Sequence, residues 1–270
     1  MVYSLFPLFN ALSPKDRGSR RLKRNVPYGP LERQRLDVYA PRHRDAPLPV
    51  IFFVYGGSWM DGDKNNYEFA GRALAALGYV VVIADYRLVP DVEYPSFIDD
   101  CALAFNWTVE HVAAFGGDNT RIALMGHSAG AYNAAMLALD KRYLSLHRHR
   151  IRCLVGLSGP YDFFPFDGPI SLRTFGLVPN PEATQPINHV EAGALPALLG
   201  TGDLDQLVEP RNSEALAARL RQFGATAEVI HYPKLGHPET LLALGIPGRW
   251  FAPVLRDVAT FLGRHLLHSS

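Results

Sequence analysis

Short apolar runs recur along this chain, separated by longer stretches with helical spacing. Residues 50–55 (VIFFVY) and 79–84 (YVVVIA) are continuously apolar, the pattern of strands buried on both faces. Residues 35–39 (RLDVY) alternate and predict an outer strand. Residues 121–125, 151–157, 195–200 and 227–232 read as further strands. Between them, 65–77 predicts a helix closed by Gly78, and 96–115 one with Phe97, Ala104, Phe105, Val109 and Val112 at helical spacing. Residues 211–223 form an amphipathic pattern ended by Gly224, and 253–267 a terminal helix. Buried strands alternating with helices predict an α/β fold, a mainly parallel central sheet flanked by helices.

One segment breaks this rhythm. Residues 159–193 are rich in proline and in aromatic side chains, including Tyr161, Phe163, Phe164, Phe166 and Phe175. They lie between two expected strands, and so long a connection usually carries function or structure of its own. A small cap or loop excursion is expected here, within a single domain spanning 1–270. The 270 residues are 48% hydrophobic, enough for one large core.

Charge adds little. The net charge of +1 gives no whole-chain attraction to nucleic acid or an anionic surface, and no nucleic-acid partner is expected. Arg17, Arg20, Arg21, Lys23 and Arg24 cluster in residues 1–30, which read as a solvated N-terminal arm. The first twelve residues are apolar but lack a basic start and a small-residue cleavage site, so they do not read as a signal peptide. They are free to pack on the core or to touch a lipid surface or a bulky substrate. No run reaches the ~18 apolar residues that suggest a membrane span. A cytoplasmic protein is expected, as a monomer or homodimer. Cys101 and Cys153 read as buried thiols.

The chemistry enters at Gly126-His127-Ser128-Ala129-Gly130. A G-x-S-x-G between an apolar strand and a run of small residues (131–139) predicts a strand, a sharp turn and a helix, with the Ser128 hydroxyl pushed outward. A serine hydroxyl is a poor nucleophile alone. It needs a neutral imidazole to take its proton and a carboxylate to orient that imidazole. The expected chain order is serine, acid, histidine. Asp205, in the turn after a strand, fits the acid; Asp203 competes and would otherwise shape the turn. His237, after the 227–232 strand and beside Gly236, fits the base. His231 falls within that strand and reads as structural, and His127 is expected to point away from Ser128. Backbone N–H groups must also meet the negative charge of a tetrahedral intermediate, each worth ~3 kcal/mol of barrier. Gly57, Ser58 and Ala129 are the expected donors. No metal-ligand spacing appears among the histidines.

Tyr55-Gly56-Gly57-Ser58-Trp59, Asp85-Tyr86-Arg87-Leu88, Phe115-Gly116-Gly117-Asp118 and the Ser128 motif occur in that order. Together they resemble the α/β-hydrolase carboxylesterases of the hormone-sensitive-lipase-like and feruloyl-esterase-like groups. They also resemble kynurenine formamidases and prenylcysteine methylesterases. The resemblance covers residues 34–267. It implies an α/β-hydrolase fold and a cofactor-free serine hydrolase. Ser128 matches the nucleophile, Asp205 the acid, His237 the base, and Gly57, Ser58 and Ala129 the oxyanion donors. Asp85 and Arg87 match a structural stretch. Where the family usually has histidine at the head of the oxyanion motif, this chain has Tyr55.

The leading expectation is hydrolysis of small to medium acyl or aryl esters, with Trp59, Tyr55, Tyr161 and Phe163 as substrate contacts. An amidase, such as an arylformamidase or a peptidase, would use the same triad. A non-catalytic ligand-binding scaffold is the third reading, set against the complete triad.

Overall fold

The structure is a computed structural model that describes residues 5–267. Among the described residues, eight strands make one sheet. They are β1 (Ser19–Pro27), β2 (Arg35–Pro41), β3 (Leu48–Val54), β4 (Val80–Ala84), β5 (Gly117–His127), β6 (Ile151–Leu157), β7 (Ala197–Gly202) and β8 (Ala227–Tyr232). Their order is β1-β2-β4-β3-β5-β6-β7-β8. The six strands from β4 to β8 are parallel, and β2 and β1 are added antiparallel at one edge.

Parallel neighbours need crossovers, and helices supply them. The main ones are α2 (Glu68–Ala76), α3 (Ser96–His111), α4 (Ala129–Leu139) and α7 (Arg211–Gln222), with α9 (Val254–Leu262) closing the chain and the single turns α5 (Lys141–Leu144) and α8 (Glu239–Leu242) between them. Val50–Val54 and Val80–Ala84 are buried throughout, as expected of strands covered on both faces. α4 is buried on every side, and its Ala129, Ala131, Ala134 and Ala135 bring it close to the sheet. The expected helix at 65–77 divides into a tight 3-10 turn at Lys64–Tyr67 followed by α2.

The N-terminal expectation changes. Residues 1–4 of the expected arm lie outside the described residues, and 5–30 do not form a solvated arm: α1 (Leu5–Leu12) packs Phe6 into the core, and β1 pairs along β2. β2 is therefore not the outer strand. Alternation in β1 is hidden because its register shifts around Lys23, beside Asn25 at φ 54°. Charge holds this edge inward as well. Arg21 lies 3.1 Å from buried Asp37, which also faces the buried ammonium of Lys64 at 3.3 Å.

Cys101 and Cys153 are buried free thiols. No helix among the described residues is long and apolar enough to cross a membrane. Residues 159–193 carry α6 (Pro169–Phe175) and two 3-10 turns, Pro181–Thr184 and Pro186–His189.

Candidate active site

β5 ends at His127 and the chain turns at once into α4. Ser128 occupies the turn at φ 54° and ψ −127°, a region that side-chain-bearing residues seldom adopt. Two glycines allow it. A methyl group at Gly126 would overlap the Gly130 carbonyl, and one at Gly130 would overlap the carbonyls of Val54 and Tyr55. The Ser128 amide donates to the Leu157 carbonyl at 2.9 Å, tying the turn to the end of β6.

The loops after β7 and β8 bring Asp205 and His237 to this turn. His237, after β8, places Nε2 2.7 Å from Ser128 Oγ and Nδ1 2.8 Å from Asp205 Oδ2. All three side chains are buried, with residue exposures of 5% for Ser128, 4% for Asp205 and 7% for His237. A ring that donates from Nδ1 to the carboxylate presents Nε2 as acceptor to the hydroxyl, the arrangement that proton transfer from serine requires.

Asp205 is held from several directions. Its Oδ1 accepts the amides of Leu207 at 3.0 Å and Val208 at 2.9 Å. Burial alone would raise its pKa. The hydrogen bond and charge of His237, the Val208 amide and the Ser158 hydroxyl outweigh it and keep the carboxyl below its ordinary value. Asp203, the competing acid, faces outward and pairs with His231 Nδ1 at 2.7 Å.

A cleft of about 440 Å³ opens at Ser128. Ser58, Trp59 and Ala129 lie on its wall beside Ser128. Gly57, Ser58 and Trp59 all have positive φ, at 141°, 53° and 59°. Gly57 is not on the wall; its carbonyl accepts the Met60 and Asp61 amides, which shapes the turn. The opposite wall comes from the 159–193 excursion through Pro160, Phe163 and residues 167–171, and from residues 206–209 with Arg211 and Asn212.

The four aromatic residues expected to touch substrate divide. Trp59 and Phe163 line the cleft. Tyr55 and Tyr161 do not, which corrects that part of the sequence reading. Tyr55 is fully buried behind the loop, stacked on Tyr67 and Tyr86, with its hydroxyl donating to Asp85 Oδ1 at 2.7 Å. Arg33 donates to the same hydroxyl at 3.2 Å and to the Gly62 carbonyl at 2.5 Å. Tyr161 is fully buried against Gly156 and Gly159.

Sequence reasoning missed several supporting residues. Asn212 Oδ1 accepts the amides of Tyr161 at 2.9 Å and Asp162 at 3.0 Å, joining α7 to the start of the excursion. Gln185 Oε1 accepts the Phe163 amide at 2.7 Å. Ser158 Oγ lies 3.0 Å from Thr240 Oγ1, which donates to the His237 carbonyl at 3.1 Å. His127 Nε2 reaches the same carbonyl at 3.0 Å. Nothing local marks Asn212 or Gln185, since their partners lie 51 and 22 residues away.

The sequence profile of the BD-FAE family matches residues 36–220. The chain belongs to the BD-FAE family. It is 30% identical to a probable isoprenylcysteine alpha-carbonyl methylesterase of Arabidopsis thaliana, over 82% of this chain and 52% of that one. It is also 30% identical to Esterase LipC of Mycobacterium tuberculosis, over 90% of this chain and 65% of that one. The chain thus spans about half the length of the first of these relatives. A solved bacterial heroin esterase superposes with a TM-score of 0.80 at 22% identity, covering 99% of this chain and 90% of that one. That likeness identifies the fold as α/β-hydrolase.

Proposed function

We propose that this BD-FAE protein hydrolyses carboxylic esters of small to medium acyl or aryl groups through an acyl-serine intermediate. The observation that carries the proposal is the unbroken chain Ser128 Oγ–His237–Asp205, with contacts of 2.7 and 2.8 Å, at the floor of an open cleft. Relatives named as esterases support the same bond type.

Ser128 Oγ attacks the ester carbonyl carbon as its proton passes to His237 Nε2. The carbonyl oxygen becomes an oxyanion, for which the amides of Ala129 and Ser58, both on the cleft wall, are the proposed donors, with Gly57 shaping the turn that presents Ser58. Ala129 opens α4, and its amide has no helical carbonyl one turn back to bond. The tetrahedral centre collapses, the C–O bond breaks, and His237 returns the proton to the departing alcohol. Water then attacks the acyl-Ser128 with His237 again as base, releasing the acid and restoring the serine. Asp205 holds the ring and stabilises its charged form without taking the proton.

The cleft volume suits a compact substrate, since pockets of a few hundred Å³ enclose drug-sized molecules. Trp59 and Phe163 give it an apolar wall, which fits an apolar acyl or aryl group. The test is hydrolysis of p-nitrophenyl esters from acetate to dodecanoate by the parent protein and by Ser128→Ala. Activity that falls with chain length and vanishes in the variant is expected. Absence of ester turnover, with cleavage of N-formylkynurenine instead, would replace this reading with an amidase.

A further inference from the structure

α1 is apolar on more than its buried face. Phe6 points into the core, while Leu5, Leu8 and Leu12 are 45%, 59% and 74% exposed. A second apolar projection lies beside it. Trp250 and Phe251 are 87% and 75% exposed, on a short turn that follows the loop bearing His237. The two elements are joined: Arg249 makes a two-pronged contact with Asp16 at 2.9 and 2.8 Å, and the Phe9 ring lies against Gly245. Five large apolar side chains thus stand in solvent on adjoining segments, more than scattered surface residues require.

The flank of this ridge is cationic. Arg17, Arg20, Lys23 and Arg24 are exposed on and before β1, and none has an acidic partner among the described residues. Arg24 sits close to α1, because it donates to the Asn65 side chain while Asn10 of α1 donates to the Asn65 carbonyl. The nearby acids are committed elsewhere. Asp16 pairs with Arg249, Glu68 with Arg21 and Arg72, and Asp37 with Arg21 and Lys64, while Asp63 accepts the Asn65 amide and side-chain N–H. Residues 5–32 hold six cations and two anions, Asp16 and Glu32, in a chain whose net charge is +1.

From these observations we infer that α1, the Trp250–Phe251 turn and the β1 cations form a docking face for an anionic phospholipid surface. Leucines and aromatic rings enter the boundary of a bilayer while arginines and lysines meet its headgroups. A nucleic-acid partner would use the cations but leave the leucine and tryptophan ridge unmatched. A docked molecule would hold the 236–251 excursion, and with it His237, next to the lipid.

Co-sedimentation of the full chain with lipid vesicles tests this. One set is phosphatidylcholine alone, the other contains roughly a third phosphatidylserine. Each is run at about 0.1 M and about 1 M salt, where the Debye length falls from ~10 to ~3 Å. Binding to the serine-lipid vesicles at low salt, and little to phosphatidylcholine, is expected. Trp250→Ser with Phe251→Ser, and separately Arg20→Glu with Lys23→Glu, should each weaken it about ten-fold or more. Hydrolysis of soluble p-nitrophenyl acetate and the melting temperature should stay unchanged. Protein left in the supernatant, equal binding to both vesicle types, or full binding by either variant overturns the proposal. So does a dimer in sedimentation velocity that the Trp250/Phe251 change abolishes, since the ridge would then be a contact between copies.

Discussion

The imidazole of His127 bonds through Nε2 to the backbone carbonyl oxygen of His237, 3.0 Å away. The residue before the proposed nucleophile thus holds the loop of the proposed base. Thr240 bonds the same carbonyl, so two side chains fix the position of His237 from behind. Loss of one such bond costs about 1 kcal/mol net, and a base displaced from Ser128 lowers turnover more than binding. In p-nitrophenyl acetate kinetics, His127→Leu is expected to lower kcat about five- to ten-fold with KM nearly constant. His127→Gln, which keeps an N–H donor, should recover much of the loss. A KM effect without a kcat effect would rule this out.

The same ring places an acid limit on stability. Burial, then the neighbouring charge of His237, lowers the His127 pKa from 6.5 to about 3. Below pH 6.5 the unfolded chain takes up a proton that the folded chain refuses. Stability therefore falls with decreasing pH across the window from 6.5 to about 3, by up to about 1.4 kcal/mol per pH unit. Asp205 acts in another window: its depressed pKa contributes stability above the unfolded carboxylate value and loses it only in stronger acid. Melting temperatures measured from neutral pH downward should fall less steeply for His127→Leu than for the parent. Equal slopes would remove His127 from the account.

Asp205→Asn and Asp203→Asn separate the two candidate acids. The first removes the carboxylate that orients His237 and should reduce kcat by on the order of 10³–10⁴-fold. The second disturbs only an exposed pair with His231 and should leave kcat within about two-fold. Comparable losses in both variants would count against Asp205 as the acid.

Gly130→Ala tests the elbow itself. The added methyl meets the Val54 and Tyr55 carbonyls, which are backbone and unable to swing aside. A loss of about 3 kcal/mol or more is expected by denaturant titration, together with loss of activity. Gly263→Ala, where a methyl meets nothing nearby, is the control and should change stability little.

Tyr55→Phe asks what the phenol at the head of the 55–59 loop does. The phenol contacts Asp85 and Arg33, not the cleft. Its removal should cost about 1–3 kcal/mol of stability, because the buried Asp85 oxygen loses a donor. The acyl-chain-length profile should be unchanged. A shifted profile at constant stability would return Tyr55 to the substrate-contact set.

The central strands and the positions that meet at Ser128 were legible because their signals are local. Apolar runs mark β3 and β4, and a motif of five residues marks the elbow. Chain order then separated His237 from the other histidines. The edge of the sheet was not legible. β1 carries Arg20, Arg21, Lys23 and Arg24, and a register shift erases its alternation, so its charges read as a solvated segment. The roles of Tyr55 and Tyr161 failed for a different reason. Sequence places both beside the motifs, but a side chain's direction is decided by partners far along the chain, Asp85 and Arg33 for one and the two glycines for the other.

Asn212 carries a consequence for how this protein can change. One amide oxygen on α7 clamps residues 161 and 162, and Gln185 clamps residue 163 from the far limb of the same excursion. The stretch between those clamps, roughly 164–184, springs from fixed posts and returns to them. Inside it Phe175 is buried against Trp59 and Tyr132, and the Thr184 carbonyl accepts the Tyr132 hydroxyl at 2.7 Å, so change is confined to exposed positions such as Phe164, Asp167, Leu172 and Leu177. Of these, Asp167 lines the cleft, and substrate range can shift there without touching the catalytic frame.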